Sequence, residues 1–155
     1  VLDVAHCADE PDDRVWLEIS NTVWPHDTFT MEDDDIEPFD NWLAHDMQGS
    51  GDRPEATFIA LAGEEVVGYA KFSLTQAQPR IAHHDLSAVK RAWRGRGIAR
   101  ALKAAQINWA LANGYEELRT ANDERNAPIR HLNARFGYRP GIGRIYLVGP
   151  VSAPS

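Results

Sequence analysis

Residues 81 to 120 read as strand, glycine-bearing turn, helix, strand, and that order admits few folds. The stretch "IAHHDLSAV" (81–89) has the two-residue alternation of a strand. A helix follows from about Gly97 to Asn113. Its apolar stripe is Ile98, Leu102, Ala105, Trp109 and Ala112, and Gly114 closes it. "YEELRTAN" (115–122) returns as a strand. Two strands joined through one helix imply a right-handed parallel crossover. Just upstream, "ATFIALAG" and "EEVVGYAKFSLT" form a hairpin turning near Gly63-Glu64, which implies antiparallel pairing. A sheet holding both kinds of neighbour is mixed.

The other elements extend that sheet. "VLDVAHC" (1–7) reads as a short strand. "DEPDDRVWLEISNTVW" reads as a helix with Asp9 as N-cap, Pro11 in its first turn and a stripe of Val15, Trp16, Ile19 and Val23. Thr30 and Asp33 make a capping pair before a second stripe of Ile36, Phe39, Trp42, Leu43 and Met47, which Pro38 splits into two short helices. "NAPIRHLNARFG" is a helix with Pro128 in its first turn, Ile129, Leu132 and Phe136 inward, and Gly137 as its stop. "YRPG" and "GRIYLVGPV" finish as strands. The order is β-α-α-β-β-β-α-β-α-β-β, an α/β fold with a mixed central sheet of about six to seven strands and helices on both faces. Its 155 residues suit one domain, 1–151, with 152–155 as a tail.

Composition excludes several classes. No apolar run approaches the ~20 residues that span a bilayer, and no charged-then-apolar leader opens the chain. Cys7 is the only cysteine, which excludes an internal disulfide and a cysteine-rich zinc site and suits a cytoplasmic protein. Val1 in place of Met leaves open processing, or excision from a longer protein. Net charge is −7, but unevenly held: residues 1–76 carry 18 acids and 3 bases, residues 77–155 carry 5 acids and 13 bases. Either the solvated faces differ, or an anion and a cation are bound in different places.

The basic half is densest at "VKRAWRGRGIARALKAAQ" (89–106). The first amides of a helix lack partners, and the helix dipole adds about half a positive charge there. Gly95 and Gly97 let the backbone approach a bulky oxyanion, and Arg94, Arg96 and Arg100 add charge and hydrogen-bond forks. The stretch lacks G-x-x-x-x-G-K-[ST], so it is not a P-loop, and it lacks the three-glycine dinucleotide fingerprint.

In these residues the chain resembles the GNAT superfamily of N-acetyltransferases. "VKRAWRGRGIA" is similar to its acyl-CoA signature R/Q-x-x-G-x-G/A, on Arg94, Gly97 and Ala99. "TANDERNAPIRHLNARFGY" is similar to the N-x-x-N stretch ending in G-F/Y of many bacterial members. The resemblance implies that amides from Arg94 through Gly95, Arg96, Gly97 and Ile98 to Ala99 hold the pyrophosphate of acetyl-CoA. Val89 would face the pantetheine arm, and the central strands would splay apart there to admit the coenzyme. Asn126 would touch the coenzyme from its other side. The activity implied is transfer of the acetyl group to a primary amine of a small molecule or peptide, by direct attack in a ternary complex. No metal, nucleic acid or membrane is implied, and the resemblance leaves room for a homodimer.

Such a transfer needs a neutral amine, a polarised carbonyl and a thiolate that can leave. His83 and Asp85 lie on the strand face read as shared with Ser87 and Val89, and some members of the family carry acid/base groups at the matching positions. They are the candidate catalytic pair; the alternative is a structural histidine paired with a carboxylate. His84 points the other way and reads as packing. Asn133 stands where many members place the tyrosine that protonates the thiolate, so either a water, Ser87, Tyr138 or Tyr146 takes that role or the thiolate leaves unprotonated. Asn122 and Asn133 are candidate acceptor or sulfur contacts. The acids from Glu32 to Asp40 suit a cationic acceptor or a solvated helix face. Trp24, Phe29 and Trp42 read as pocket lining or core. Two rival readings stand beside the enzyme: a non-catalytic acyl-CoA-binding domain, such as one half of a tandem transferase, and a nucleic-acid binder, against which the overall acidity argues.

Overall fold

A computed structural model describes residues 2–6, 18 and 38–143. The helix read over 9–24 (apart from Glu18), Cys7, Trp24, Phe29, the Thr30–Asp33 pair, the acids before Pro38, Tyr146, the final strand and the tail lie outside the described residues. The chain divides into two compact units, residues 1–123 and 124–155.

The first unit carries a five-stranded sheet of β1 (Leu2–His6), β2 (Thr57–Ala62), β3 (Glu65–Leu74), β4 (Ile81–Val89) and β5 (Glu117–Thr120), in that spatial order. The first three pairings are antiparallel and β4–β5 is parallel, as a crossover helix requires. Among the described residues there are five strands, against the six or seven expected. No strand forms over residues 138–141, and the last one read from the sequence lies beyond the described residues. Helix α1 (Phe39–Trp42) runs on into a π-helical turn, Leu43–Met47. Pro38 stands immediately before this helix: its carbonyl accepts from the amides of Asn41 and Trp42 at 3.0 Å, and its own missing N–H costs nothing at the start. The helix read before Pro38 lies outside the described residues.

Alternation along the strands, shifted in β3 by an extra residue at Val67, makes two cores. Ile59, Val66, Tyr69 and Ala88 pack with Trp42 and Met47 on one face, and Phe58, Ala60, Val67 and Ala70 pack with Ile98 and Leu102 on the other. The second face belongs to helix α2 (Ile98–Ala112) and continues as Phe72, Leu74, Ala82 and Ala110.

Two readings of periodicity need correcting. β4 carries a bulge: Lys71 pairs with Leu86 and Phe72 with His84, so Asp85 is the extra residue. Before the bulge His83 alternates with Ala82 and His84, which pack toward α2, so His83 points to the opposite face. After it Ala88 joins the Trp42 core and Val89 packs on the Ile98–Leu102 core. Val89 and Ser87 therefore do not share the face of His83 and Asp85. The buried stripe of α2 is also rotated from the one expected. Ala112 is exposed, while Lys103, Gln106 and Ala110 are buried with Ile98 and Leu102.

Lys103 is 2% exposed, and burial brings its ammonium down to about 8 from 10.5. Its folded pKa lies below its unfolded one, so the unfolded chain holds the proton more tightly. Stability is therefore highest above 10.5 and is lost as pH falls through about 8. At pH 7 the full penalty is in force, so Lys103→Met is expected to stabilise the protein by about 1–3 kcal/mol. Urea titrations at pH 7 check this; an unchanged or lowered midpoint would count against it.

In the second unit, α3 (Ala127–Arg135) starts at Asn126, whose side-chain oxygen accepts the Ile129 amide at 3.4 Å. It ends with Gly137 at φ 85°, where the Gly137 and Tyr138 amides donate to the carbonyls of Ala134 and Asn133 at 3.0 and 3.1 Å. That is the Schellman closure.

Candidate active site

The turn between β4 and α2 is built as an oxyanion cradle. After a 3₁₀ turn, Arg91–Trp93, the chain passes Gly95 at φ 75° and Gly97 at φ 83° and enters α2. Both angles lie in the left-handed region that a side chain disfavours. A Cβ on either glycine would meet nothing within 4 Å, so the turn opens outward. The first amide of this run to bond backbone is that of Ala101, which donates to Gly97 at 3.0 Å. Among the described residues the amides from Gly95 to Arg100 donate to no carbonyl, and no side chain caps the helix. Six consecutive N–H groups at a helix mouth fit a diphosphate.

The arginines divide their work. Arg94 folds back, its Nε donating to the Val89 carbonyl at 3.0 Å, so it staples the turn to the end of β4. Arg96 lies over the Trp93 ring, 4.6 Å from its centroid, and is preorganised by that cation–π contact. Arg100 is exposed in the first turn of α2, with Ala99 half-buried beside it. Lys90 is neutralised by Glu18 and Glu65, each at 3.2 Å.

The cradle sits at the end of an open strand edge. β4 pairs with β5 only from Ile81↔Glu117 to His84↔Thr120, while β4 itself runs on to Val89. Among the described residues, Asp85 to Val89 have no strand neighbour on that side. An extended chain can add to such an edge by main-chain hydrogen bonds.

Two ionisable groups stand along β4 on the face away from α2. The His83 Nε2 lies 3.0 Å from the Gln78 Oε1. A proton donated there leaves Nδ1 with the lone pair. Asp85 is 44% exposed, and its Oδ2 lies 3.1 Å from the Lys71 ammonium. Lys71, a residue the sequence did not flag, is only 3% exposed and also meets Asp52 at 2.9 Å. Burial pulls the Lys71 ammonium down, but the two carboxylates together outweigh it and the net effect is upward, so it is a fixed cation. Its one available signal was a lysine between Ala70 and Phe72 in a strand apolar on both faces.

His84 belongs to the interior, as read. Its Nδ1 lies 3.0 Å from the Gln106 carbonyl oxygen, and its ring is 4.7 Å from that of Phe72. Burial, with the Lys103 ammonium behind it, brings it down to about 3, so it is neutral at working pH and no general acid. Asn122 follows β5, exposed, with Thr120 Oγ1 3.5 Å from its Oδ1. In the second unit Asn126 caps α3, and Asn133 is buried within it. Burial pushes the Tyr138 phenol up to about 12, so it stays protonated at neutral pH. Among the described residues no three His, Cys, Asp or Glu side chains group as a metal site would need, and no helix is long and apolar enough to cross a membrane.

Comparison with known proteins agrees with this fold. Over 92% of its length the chain is similar to the ribosomal-protein-S18-alanine N-acetyltransferase of Escherichia coli (TM-score 0.67, 13% identity, 80% of that chain). It is similar over 97% to AAC(6')-Iy in complex with a bisubstrate analog, CoA-S-monomethyl-acetylneamine (TM-score 0.67, 18% identity, 99% of that chain). It is similar over 92% to yncA of Salmonella typhimurium with its cofactor acetyl-CoA (TM-score 0.69, 19% identity, 87% of that chain). At these identities the likeness shows the fold. No curated protein sequence matches significantly. The model of the acetyltransferase (GNAT) family matches residues 15–138, which span β2 to α3 and the whole cradle, and the chain therefore belongs to the GNAT acetyltransferase family.

Proposed function

We propose that this protein transfers the acetyl group of acetyl-CoA to a primary amine by direct attack in a ternary complex. The observation that carries the reading is the run of six amides at Gly95–Arg100 that have no partner among the described residues, open outward and placed at the end of a β4 edge that no described strand covers. The cradle suits the diphosphate, the edge suits the amide-bearing pantetheine arm, and Arg96 and Arg100 suit the remaining phosphate charge. A few hydrogen bonds to a charged group, at roughly 1.5–3 kcal/mol each, suffice for micromolar binding.

The chemistry then falls to β4. An alkyl amine has a pKa of about 10.4, so at pH 7 only about one molecule in ~2,500 is neutral. A base that takes the proton, directly or through one water, offsets that handicap. Asp85 and His83 are assigned to it. As the nitrogen attacks, the N–C bond forms and the C–S bond breaks. The surplus amine proton goes to the base, and a proton from solvent or a donor ends on the departing sulfur. Asn133 has no acidic proton to give, which leaves water, Ser87 or Tyr138 for that last role. The acceptor class is a small-molecule or peptide amine, and the compartment that fits a lone cysteine is the cytoplasm.

Isothermal titration with acetyl-CoA, then free-thiol release with an aminoglycoside, a polyamine and two peptides (one with only its N-terminus free, one with only a lysine free), tests this. Micromolar binding with amine-dependent thiol release is the expected result. Binding with no release on any amine supports the non-catalytic acyl-CoA-binding reading, and absence of binding removes both.

A further inference from the structure

The ion triad behind β4 has a geometry that a purely structural salt bridge does not need. Lys71 sits opposite Thr57 of β2 and Leu86 of β4, at the register where β4 takes in its extra residue. On one side its ammonium meets Asp52 Oδ1, and the other oxygen of Asp52 accepts the Gly49 amide at 3.1 Å. The Gly49–Asp52 loop is tied to the sheet where the Leu74 amide donates to the Gly51 carbonyl at 2.8 Å. Asp52 is thus held at both oxygens, and it holds Lys71. On the other side Lys71 takes only Oδ2 of Asp85. Oδ1 of Asp85 has no hydrogen bond or ion pair among the described residues, and this carboxylate is 44% exposed against 11% for Asp52. One ammonium between two carboxylates leaves a net charge of −1, and the exposed partner stands on the open edge of β4.

We propose that Lys71 is a positioning residue: anchored by Asp52, it fixes one oxygen of Asp85 so that the other is presented to a cationic acceptor amine. This rests on the reading of Asp85 as the base. Without Lys71 the bulge residue would keep its charge but lose its fixed direction, and a proton acceptor that wanders loses rate without loosening the coenzyme.

The test is a double-mutant cycle on the amine that turns over best, reading kcat, the amine KM and acetyl-CoA affinity separately. Asp85→Asn is expected to lower kcat about 100-fold, the low end for loss of a general base. Lys71→Met is expected to lower it about tenfold, with acetyl-CoA affinity within about threefold, and Lys71→Arg to restore most of the loss. Lys71→Met added to Asp85→Asn is expected to cost nothing more. An undiminished effect in that background overturns the role of Lys71 while leaving Asp85 as base; an Asp85→Asn variant at full rate overturns the base itself. Should Lys71→Met not fold, Asp52→Asn takes its place, with a severalfold loss of kcat expected and full kcat counting against. Independently of turnover, a crystal structure of the folded Lys71 or Asp52 variant is expected to show Asp85 displaced. Asp85 unmoved there overturns the proposal.

Discussion

Replacing Gly95 and Gly97 together by valine is expected to weaken acetyl-CoA binding about a thousandfold, because losing two hydrogen bonds to a charged diphosphate costs about 4 kcal/mol. Both glycines hold φ near 80° (75° and 83°), where a β-branched residue is strained. The strain is about 1–2 kcal/mol per residue, so the turn relaxes and its amides scatter. Relaxation is unopposed by packing, since a Cβ there touches nothing within 4 Å. Gly63→Val makes the control: that glycine also has a positive φ (65°) with nothing near its Cβ, but it lies in the β2–β3 turn. It is expected to show a similar stability loss per site and unchanged affinity. Titration calorimetry and urea unfolding on the three proteins decide it. Affinity surviving the double replacement would mean that the phosphates are held by side chains or elsewhere.

What could be read from the sequence was whatever local spacing encodes. β4 was placed to its terminal residues, and the β2–β3 turn at Gly63, because alternation and a positive-φ glycine are properties of neighbours. The cradle was legible for the same reason: glycine spacing and a helix start lie within a few residues of each other. The bulge at Asp85 was not, since one inserted residue leaves the composition of a strand unchanged while reversing the faces of everything after it. That single event moved Val89 from the face of the base candidates to the α2 core. Lys71 was missed because its partners come from a loop before β2 and from the bulge, and nothing beside it in sequence announces either. On α2, the apolar template passed over the buried Lys103 and Gln106; Gln106 has a polar partner across the layer in His84, which no spacing on α2 announces. The capping role of Asn126, whose oxygen accepts the Ile129 amide in the first turn of α3, stands beside its reading as a coenzyme contact.

That interior polar layer makes the protein acid-sensitive in a defined window. His84 has a folded pKa of about 3, set by burial first and by the Lys103 ammonium second, against 6.5 when unfolded. The folded value is the lower one, so as pH falls below 6.5 the unfolded chain takes the proton first. Stability that is complete above 6.5 drains away until the folded histidine itself charges near 3. The gap is worth about 5 kcal/mol, comparable to the whole stability of many domains this size. Phe72 from β3 and Lys103 and Gln106 from α2 are among the groups that face the imidazole. The ammonium stays charged throughout that range and adds no slope of its own. Unfolding free energies from urea titrations between pH 7 and pH 4 are expected to fall by about 1.4 kcal/mol per pH unit below 6.5. His84→Gln keeps an amide to meet Gln106 and removes the titration. It is expected to start about 1–2 kcal/mol less stable at pH 7 and then to lose that slope. A wild-type curve flat down to pH 4, or a His84→Gln curve as steep as the wild type, would place the acid sensitivity in the carboxylates instead.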